Sequence, residues 1–134
     1  PVPLFVENTA GGDNAMARFL ERLSGTWEAI GAASGHERVG FCLDTCHAFA
    51  AGLDMTSLVD DVRGITGRID LVHANDSQGA VGSGRDRHAN LGEGQCEADT
   101  LVDVIHAAQA PIVVETPGDA EGQARDIAWL RERL

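Results

Sequence analysis

Phe41-Cys42-Leu43-Asp44-Thr45-Cys46-His47 is an apolar run closed by a carboxylate, with an imidazole three residues further on. Three other runs repeat its first half: Leu4-Phe5-Val6-Glu7, Leu71-Val72-His73 and Ile112-Val113-Val114-Glu115. Each reads as a short buried strand ending on a potential metal ligand. Parallel strands in α/β folds expose their carboxyl ends on one rim, where barrel enzymes place their chemistry. Four such strands bring Glu7, Asp44, His73 and Glu115 together on one side of a sheet, and the chain reads as a metalloenzyme.

The stretches between these runs have helical character, and a βαβ rhythm builds a parallel sheet covered by helices. Asp13 is a candidate cap for a helix through Phe19, Leu20 and Leu23 toward Ile30, ended by Gly31 to Gly35. The strand Val39 to Asp44 runs into a short turn or helix, Thr45 to Gly52. Asp54 or Thr56 then caps a helix carrying Leu58, Val59, Val62 and Ile65, closed by Gly67. Ile69 to His73 is the third strand, and Asn75 to Gly94, polar and rich in glycine, is a surface loop of unusual length. A helix from about Ala98 to Ala108, a strand opened by Pro111 and a final helix over Asp126 to Leu134 follow. Nothing in the composition divides residues 1–134 into two domains. The opening strand has no preceding helix or cap, which favours a piece of something longer.

With 134 residues, 43% of them apolar, the chain can bury a globular core and is not expected to be disordered. A net charge of −11 argues on its face against a polyanionic partner, because non-specific nucleic-acid affinity comes from cations that neutralise phosphates. Four of the 21 acids, however, are the candidate ligands Glu7, Asp44, Asp86 and Glu115, and bound divalent cations reverse the field in a cleft. Charge therefore decides solubility, not substrate. No apolar run approaches the ~20 residues that span a bilayer and no signal-peptide pattern opens the chain, so the expected location is the cytoplasm and no membrane partner is expected. Three cysteines, an odd number without zinc-finger spacing, suit a reducing compartment.

Beyond the strand ends, Asp86-Arg87-His88 places a carboxylate and an imidazole two apart, on the same side of an extended segment. Asp86 and His88 can chelate one ion with His47 as third ligand, leaving a position open for water or substrate. Glu7, Asp44, His73 and Glu115 can hold a second ion and part of a third. Mixed nitrogen and oxygen donors suit zinc or manganese better than magnesium. For His36, in a turn, and His106, on a helix face, a solvated or capping role is preferred. Cys42, Cys46 and Cys96 read as small buried thiols, although Cys46 sits between two candidate ligands. Arg85 and Arg87 flank a ligand and can grip phosphate, with salt bridges to local acids an equal alternative. Gly82-Ser83-Gly84 allows close backbone approach or is a flexible turn.

The strings Val6-Glu7-Asn8-Thr9-Ala10-Gly11, Cys42-Leu43-Asp44-Thr45-Cys46-His47-Ala48, His73-Ala74-Asn75-Asp76-Ser77, Asp86-Arg87-His88-Ala89-Asn90-Leu91-Gly92-Glu93-Gly94 and Glu115-Thr116-Pro117 together resemble the endonuclease IV family of apurinic/apyrimidinic endonucleases. The resemblance covers essentially the whole chain. It implies the carboxyl-terminal half, about four β/α units, of a TIM (β/α)8 barrel that carries three zinc ions and hydrolyses the phosphodiester 5′ to an abasic site in double-stranded DNA. By motif, His47, Asp86 and His88 form one zinc site. Asp44, His73 and Glu115 hold another, with Glu7 bridging from it to a third. Glu7 and Glu115 then serve the hydrolysis, Arg85 and Arg87 the DNA, and Asn8, Thr45 and Asn75 stand behind the ligands. Two further histidines for the third zinc, and the side chains that enter the DNA, belong to the family's first half. The resemblance thus implies a complementary half-barrel, or self-association, to cover the sheet edges. Two alternatives stand beside it: a single-metal sugar isomerase or epimerase of the related barrel superfamily, for which the Glu, Asp, His, Glu quartet alone would suffice, and an inactive metal-binding fragment.

Overall fold

The computed structural model describes residues 2–134. Four parallel strands, β1 (Leu4–Glu7), β2 (Val39–Asp44), β3 (Leu71–His73) and β6 (Ile112–Val113), form one sheet in the order β1-β2-β3-β6. Helices α1 (Leu20–Gly31), α2 (Thr45–Ala51), α3 (Leu58–Thr66), α4 (Ala98–Ala108) and α5 (Ala120–Arg131) connect and follow them. A two-stranded antiparallel ribbon, β4 (Asp76–Ser77) with β5 (His88–Ala89), rises beyond the end of β3. The α/β fold and its parallel sheet are those read from the sequence.

β2 is the central strand and is buried along nearly its whole length, as an inner parallel strand must be. The two-residue period sends Phe41 and Leu43, both fully buried, toward the helices, where Trp27 of α1 meets the Phe41 ring edge-on at 6.1 Å. Gly40, Cys42 and Asp44 fall on the opposite face. Asp70 extends the sheet past β3 with its side chain: Oδ2 accepts from Phe41 N at 2.9 Å, while Arg68 holds the same carboxylate. A Cβ at residue 40 would lie 2.5 Å from that oxygen and 2.7 Å from the Phe5 ring, which explains a glycine inside a central strand. Leu23, Leu58, Val62, Val72, Leu101 and Ile105 complete the packed layer beneath the helices.

Several features differ from the sequence reading, among them β3, which starts at Leu71 and not Ile69, and β6, which stops at Val113 short of Glu115. Asp13 does not cap α1. Its carboxylate pairs with Arg18 at 2.9 Å, residues 13–19 form turns tied back by Thr9 N donating to Ala17 O, and the helix begins at Leu20. Asp54 closes a turn on Thr56 N, so that Ser57 precedes α3. α5 begins at Ala120, six residues before Asp126, because Asp119 caps it by accepting from Glu121 N and Gly122 N. Lastly, the 75–94 segment is less a surface loop than a pinned one: Asn75, Asp76 and Ser77 are fully buried. The Asp76 carboxylate accepts from four backbone amides, Ser77 and Cys96 on Oδ1 and Gly92 and Gly94 on Oδ2, at 2.7–3.1 Å. Asp126 does the same work from α5, accepting from Leu91 N, Asn90 Nδ2 and the Thr116 hydroxyl.

Both outer strands carry exposed apolar residues, Leu4 and Phe5 on β1, Ile112 and Val113 on β6. Beside β6 a groove is lined by Val114, Ile127, Leu130 and Leu134.

Candidate metal centre

Glu7, Asp44 and His73 close three adjacent strands, with Asp44 opposite His73 in the parallel register. His73 Nδ1 lies 3.2 Å from Glu7 Oε1, 3.1 Å from Glu115 Oε2 and 4.0 Å from Asp44 Oδ2. Glu115 reaches the group from just beyond β6. Its amide is taken out of the ladder by Asn75 Oδ1, at 2.9 Å, which ends the strand early and sets the glutamate over the rim.

The second group grows from the helix that follows β2 without a linker. Asp44 is the N-cap of α2 and its Oδ1 accepts from His47 N at 2.7 Å, so one helical turn carries the His47 ring back over the strand end. His47 Nε2 lies 3.2 Å from Asp86 Oδ1, and His88 Nε2 lies 3.3 Å from the same oxygen. The 75–94 segment delivers Asp86 and His88 on the β5 side of its ribbon. All seven residues singled out in the sequence, Glu7, Asp44, His47, His73, Asp86, His88 and Glu115, therefore face one mouth of the sheet, in two adjoining groups whose donor atoms lie within 4.8 Å of one another.

The hydrogen bonds behind these groups prepare them for a cation. His47 Nδ1 contacts Asn8 O at 2.9 Å and His88 Nδ1 contacts Glu115 O at 3.0 Å. A carbonyl only accepts, so each ring keeps a proton on Nδ1, and Nε2, once it carries no proton, turns a lone pair toward Asp86. Both Nε2 atoms are buried and have no hydrogen-bond partner. Buried polar atoms are rarely left so, and a bound ion is the economical explanation. The spacing agrees: two donors on a tetrahedral zinc, each ~2.0–2.1 Å from it, stand about 3.3 Å apart. Asn75 Nδ2 donates to Asp44 Oδ2 at 2.8 Å, and Thr45 Oγ1 exchanges hydrogen bonds with the Asn75 backbone at 2.7 and 3.0 Å.

Four carboxylates crowd this mouth, and among the described residues no arginine pairs with them. Burial pushes the Asp44 carboxyl up from its ordinary value. The neighbouring His47 side chain draws Glu7 down. For His47 burial opposes the charged ring, but Glu7, Asp44, the Asn8 carbonyl and Asp86 outweigh it and hold the imidazole at about 9. Such a site is short of positive charge.

Arg85 and Arg87 are exposed beside the second group, lining an open hollow with Gly84 and Asp86, and among the described residues neither forms an ion pair with an acid. Arg87 donates instead to Asp86 O at 2.7 Å. The three cysteines are free and buried, and burial pushes their thiols up, Cys42 to about 12 and Cys46 to about 11. Cys42 nevertheless lies in reach of Glu7 and His73, and Cys46 of Asp44 and His88. The two-residue period that puts Cys42 on the Asp44 face was the available signal for the first. His36 and His106 lie outside the centre, in the turn before β2 and near the end of α4.

Comparison with known proteins places this geometry in a family. Residues 1–133 match the family described as Xylose isomerase-like TIM barrel. "Probable endonuclease 4" of Mycobacterium ulcerans is 54% identical over 133 residues, which are 99% of this chain and 50% of that protein. The crystal structure of endonuclease IV from Thermus thermophilus superposes with a TM-score of 0.78 at 33% identity, over 96% of this chain and 48% of that one. A xylose isomerase domain protein from Alicyclobacillus acidocaldarius shares the fold at 24% identity, with a TM-score of 0.67 over 98% of this chain and 48% of its own. The chain spans about half the length of the relatives it matches. It belongs to the xylose isomerase-like TIM barrel family, and resembles endonuclease IV along essentially its whole length.

Proposed function

We propose that residues 1–134 form the carboxyl-terminal half, as one domain, of a zinc-dependent DNA repair endonuclease that hydrolyses the phosphodiester 5′ to an abasic site in double-stranded DNA, in base excision repair. The observation that carries the reading is the second donor group. A Glu, Asp, His, Glu quartet serves a single-metal sugar isomerase equally well, but His47, Asp86 and His88, with two unpartnered imidazole nitrogens turned toward one carboxylate oxygen, have no use in such an enzyme.

In this reading His47, Asp86 and His88 would hold one zinc, Asp44, His73 and Glu115 would hold another, and Glu7 would also serve a third whose remaining ligands come from outside this chain. Manganese is the other divalent ion the mixed donors accept. Such a cluster supplies, when bound, Lewis acidity toward the attacking water and positive charge for the phosphate oxygens. The chain's own groups do the rest. Glu7 and Glu115, whose side chains are 34% and 47% exposed, face the opening and orient the water and receive its proton. Asn8, Thr45 and Asn75 fix the ligands, and Arg85 and Arg87 grip the DNA backbone. An abasic nucleotide has no base to unstack, so drawing it into the mouth costs less than flipping an intact one. The bare edges of β1 and β6 receive the complementary half-barrel, and the free cysteines suit a cytoplasmic setting.

The test uses the intact polypeptide loaded with zinc and a duplex bearing one abasic site. Incision on the 5′ side, leaving a 3′-hydroxyl and lost on chelation, supports the reading; an intact duplex together with a single bound metal ion would transfer the chain to the sugar-isomerase side of its family.

A further inference from the structure

We infer that Gly11 is a positioning residue for the His47, Asp86 and His88 group, acting through a backbone contact that leaves no room for a side chain. The inference deepens the metal-dependent reading above and rests on it. Gly11 lies in the loop after β1, four residues past Glu7 and three past Asn8, and it is not one of the glycines with positive φ, so φ alone does not exclude alanine there. Space is what forbids it. A Cβ at residue 11 would lie well inside the 3.0 Å that real Cβ atoms keep from the carbonyl oxygen of Gly84, with the Gly84 carbon at 3.3 Å and Cα at 3.7 Å. Nothing flexible separates them, since both partners are main chain.

Gly84 cannot retreat freely. Its amide donates to Ala50 O at 2.8 Å and the Gly82 amide donates to Phe49 O at 3.1 Å, so the 82–84 turn caps the carboxyl end of α2. A Cβ on Gly52 would in turn stand 3.2 Å from Gly82 Cα. The same α2 begins with Asp44 and carries His47 in its first turn, while Asp86 and His88 follow Gly84 by two and four residues. Asn8, three residues before Gly11, holds the other end of the arrangement through His47 Nδ1. Three loops are thus gauged against one another by glycine contacts, and the gauge sets how far the Asp86 and His88 segment stands from the His47 ring. Metal–ligand distances hold within roughly 0.2 Å. The displacement one methyl group at residue 11 demands is larger than that tolerance.

The experiment compares Gly11→Ala and Gly12→Ala with the unaltered chain, by zinc per chain at equilibrium and by the NOE between the His47 and His88 ring protons, whose ring centroids stand 5.6 Å apart. Gly12 has φ +84 and its Cβ would meet only Ala15, so its substitution strains the same loop without touching Gly84. The expected result is that Gly11→Ala keeps its circular dichroism spectrum, loses about one zinc per chain and loses the inter-ring NOE, while Gly12→Ala keeps both. The inference is overturned if Gly11→Ala retains the NOE and full zinc, if Gly12→Ala loses them equally, or if Gly11→Ala unfolds, since the methyl group must be absorbed by the 82–88 segment alone. An unaltered chain that takes up no zinc would sink the metal-dependent reading instead, and the NOE comparison would still judge Gly11.

Discussion

The Asn8 side chain and the Asp44 backbone pair twice: Asn8 Nδ2 donates to Asp44 O at 2.9 Å and Asp44 N donates to Asn8 Oδ1 at 2.8 Å. This side-chain amide continues the β1–β2 ladder one step past Glu7, at the point where β2 becomes α2. It decides the direction in which Asp44 and His47 leave the sheet. Asn8→Asp keeps the acceptor but turns a second oxygen on Asp44 O, so the chain should lose about 1–3 kcal/mol of stability and roughly 10–100-fold in metal affinity. Thermal melting and zinc titration against a competing chelator measure the two effects.

His88→Ala removes a donor from one group only. It should lower zinc stoichiometry by about one ion while leaving the Glu7, Asp44, His73 and Glu115 group loaded, whereas Asp44→Ala, whose carboxylate lies within 4.0 Å of both His73 and His88, should weaken both. Metal analysis after gel filtration distinguishes the pair.

The pH dependence of the metal-free chain follows from His47. Its folded pKa of about 9 stands above the ordinary imidazole value, so the stabilisation it gives is complete below about pH 6.5 and is lost as pH rises through 9. Asp44, raised by burial, acts in the same direction at lower pH. The melting temperature of the metal-free chain should therefore fall between pH 6.5 and 9. Zinc must displace the His47 proton, so its apparent affinity should rise over the same interval and its binding should release protons, which calorimetry in buffers of different ionisation enthalpy reads directly.

Two glycine substitutions should part in sign. Gly25, inside α1, has open space around its Cβ position, and Gly25→Ala should stabilise by about 0.5–1 kcal/mol. Gly40→Ala drives a methyl group against Asp70 and Phe5 and should destabilise by about 1–3 kcal/mol. Urea denaturation of both variants checks the contrast.

Asp76→Asn replaces an oxygen that accepts from two amides by a group that donates. A loss of about 2–3 kcal/mol is expected, with faster hydrogen exchange at Gly92, Gly94 and Cys96.

Much of this was legible beforehand because the informative residues repeat a pattern. Runs closed by Glu7, Asp44, His73 and Glu115 announce a parallel sheet and a common rim, even though the last strand itself stops at Val113, and Asp86-Arg87-His88 announces two donors on one side of a segment. Segments held by polar contacts were harder to read. Asp76 and Asp126 look like ordinary surface acids until the amides they collect are seen, because a backbone donor leaves no signature in the residue that supplies it. The start of α5 was hidden for a related reason: Gly122 and the polar residues after Asp119 break the apolar rhythm, while the cap that starts the helix is one aspartate among many. The Gly11 contact is invisible in the same way, since it joins two main chains distant in sequence.

Leu4-Phe5 and Ile112-Val113 leave the sheet open at its first and last strands, while the seven donors this chain offers sit between those open sides. Under the proposed function ion capture is then shared, most of it by this segment and the rest by its complement, across two apolar seams. A joint placed there ties both halves to one cluster, so a change in how Leu4-Phe5 or Ile112-Val113 packs would be felt at the ligands as well as along the seam.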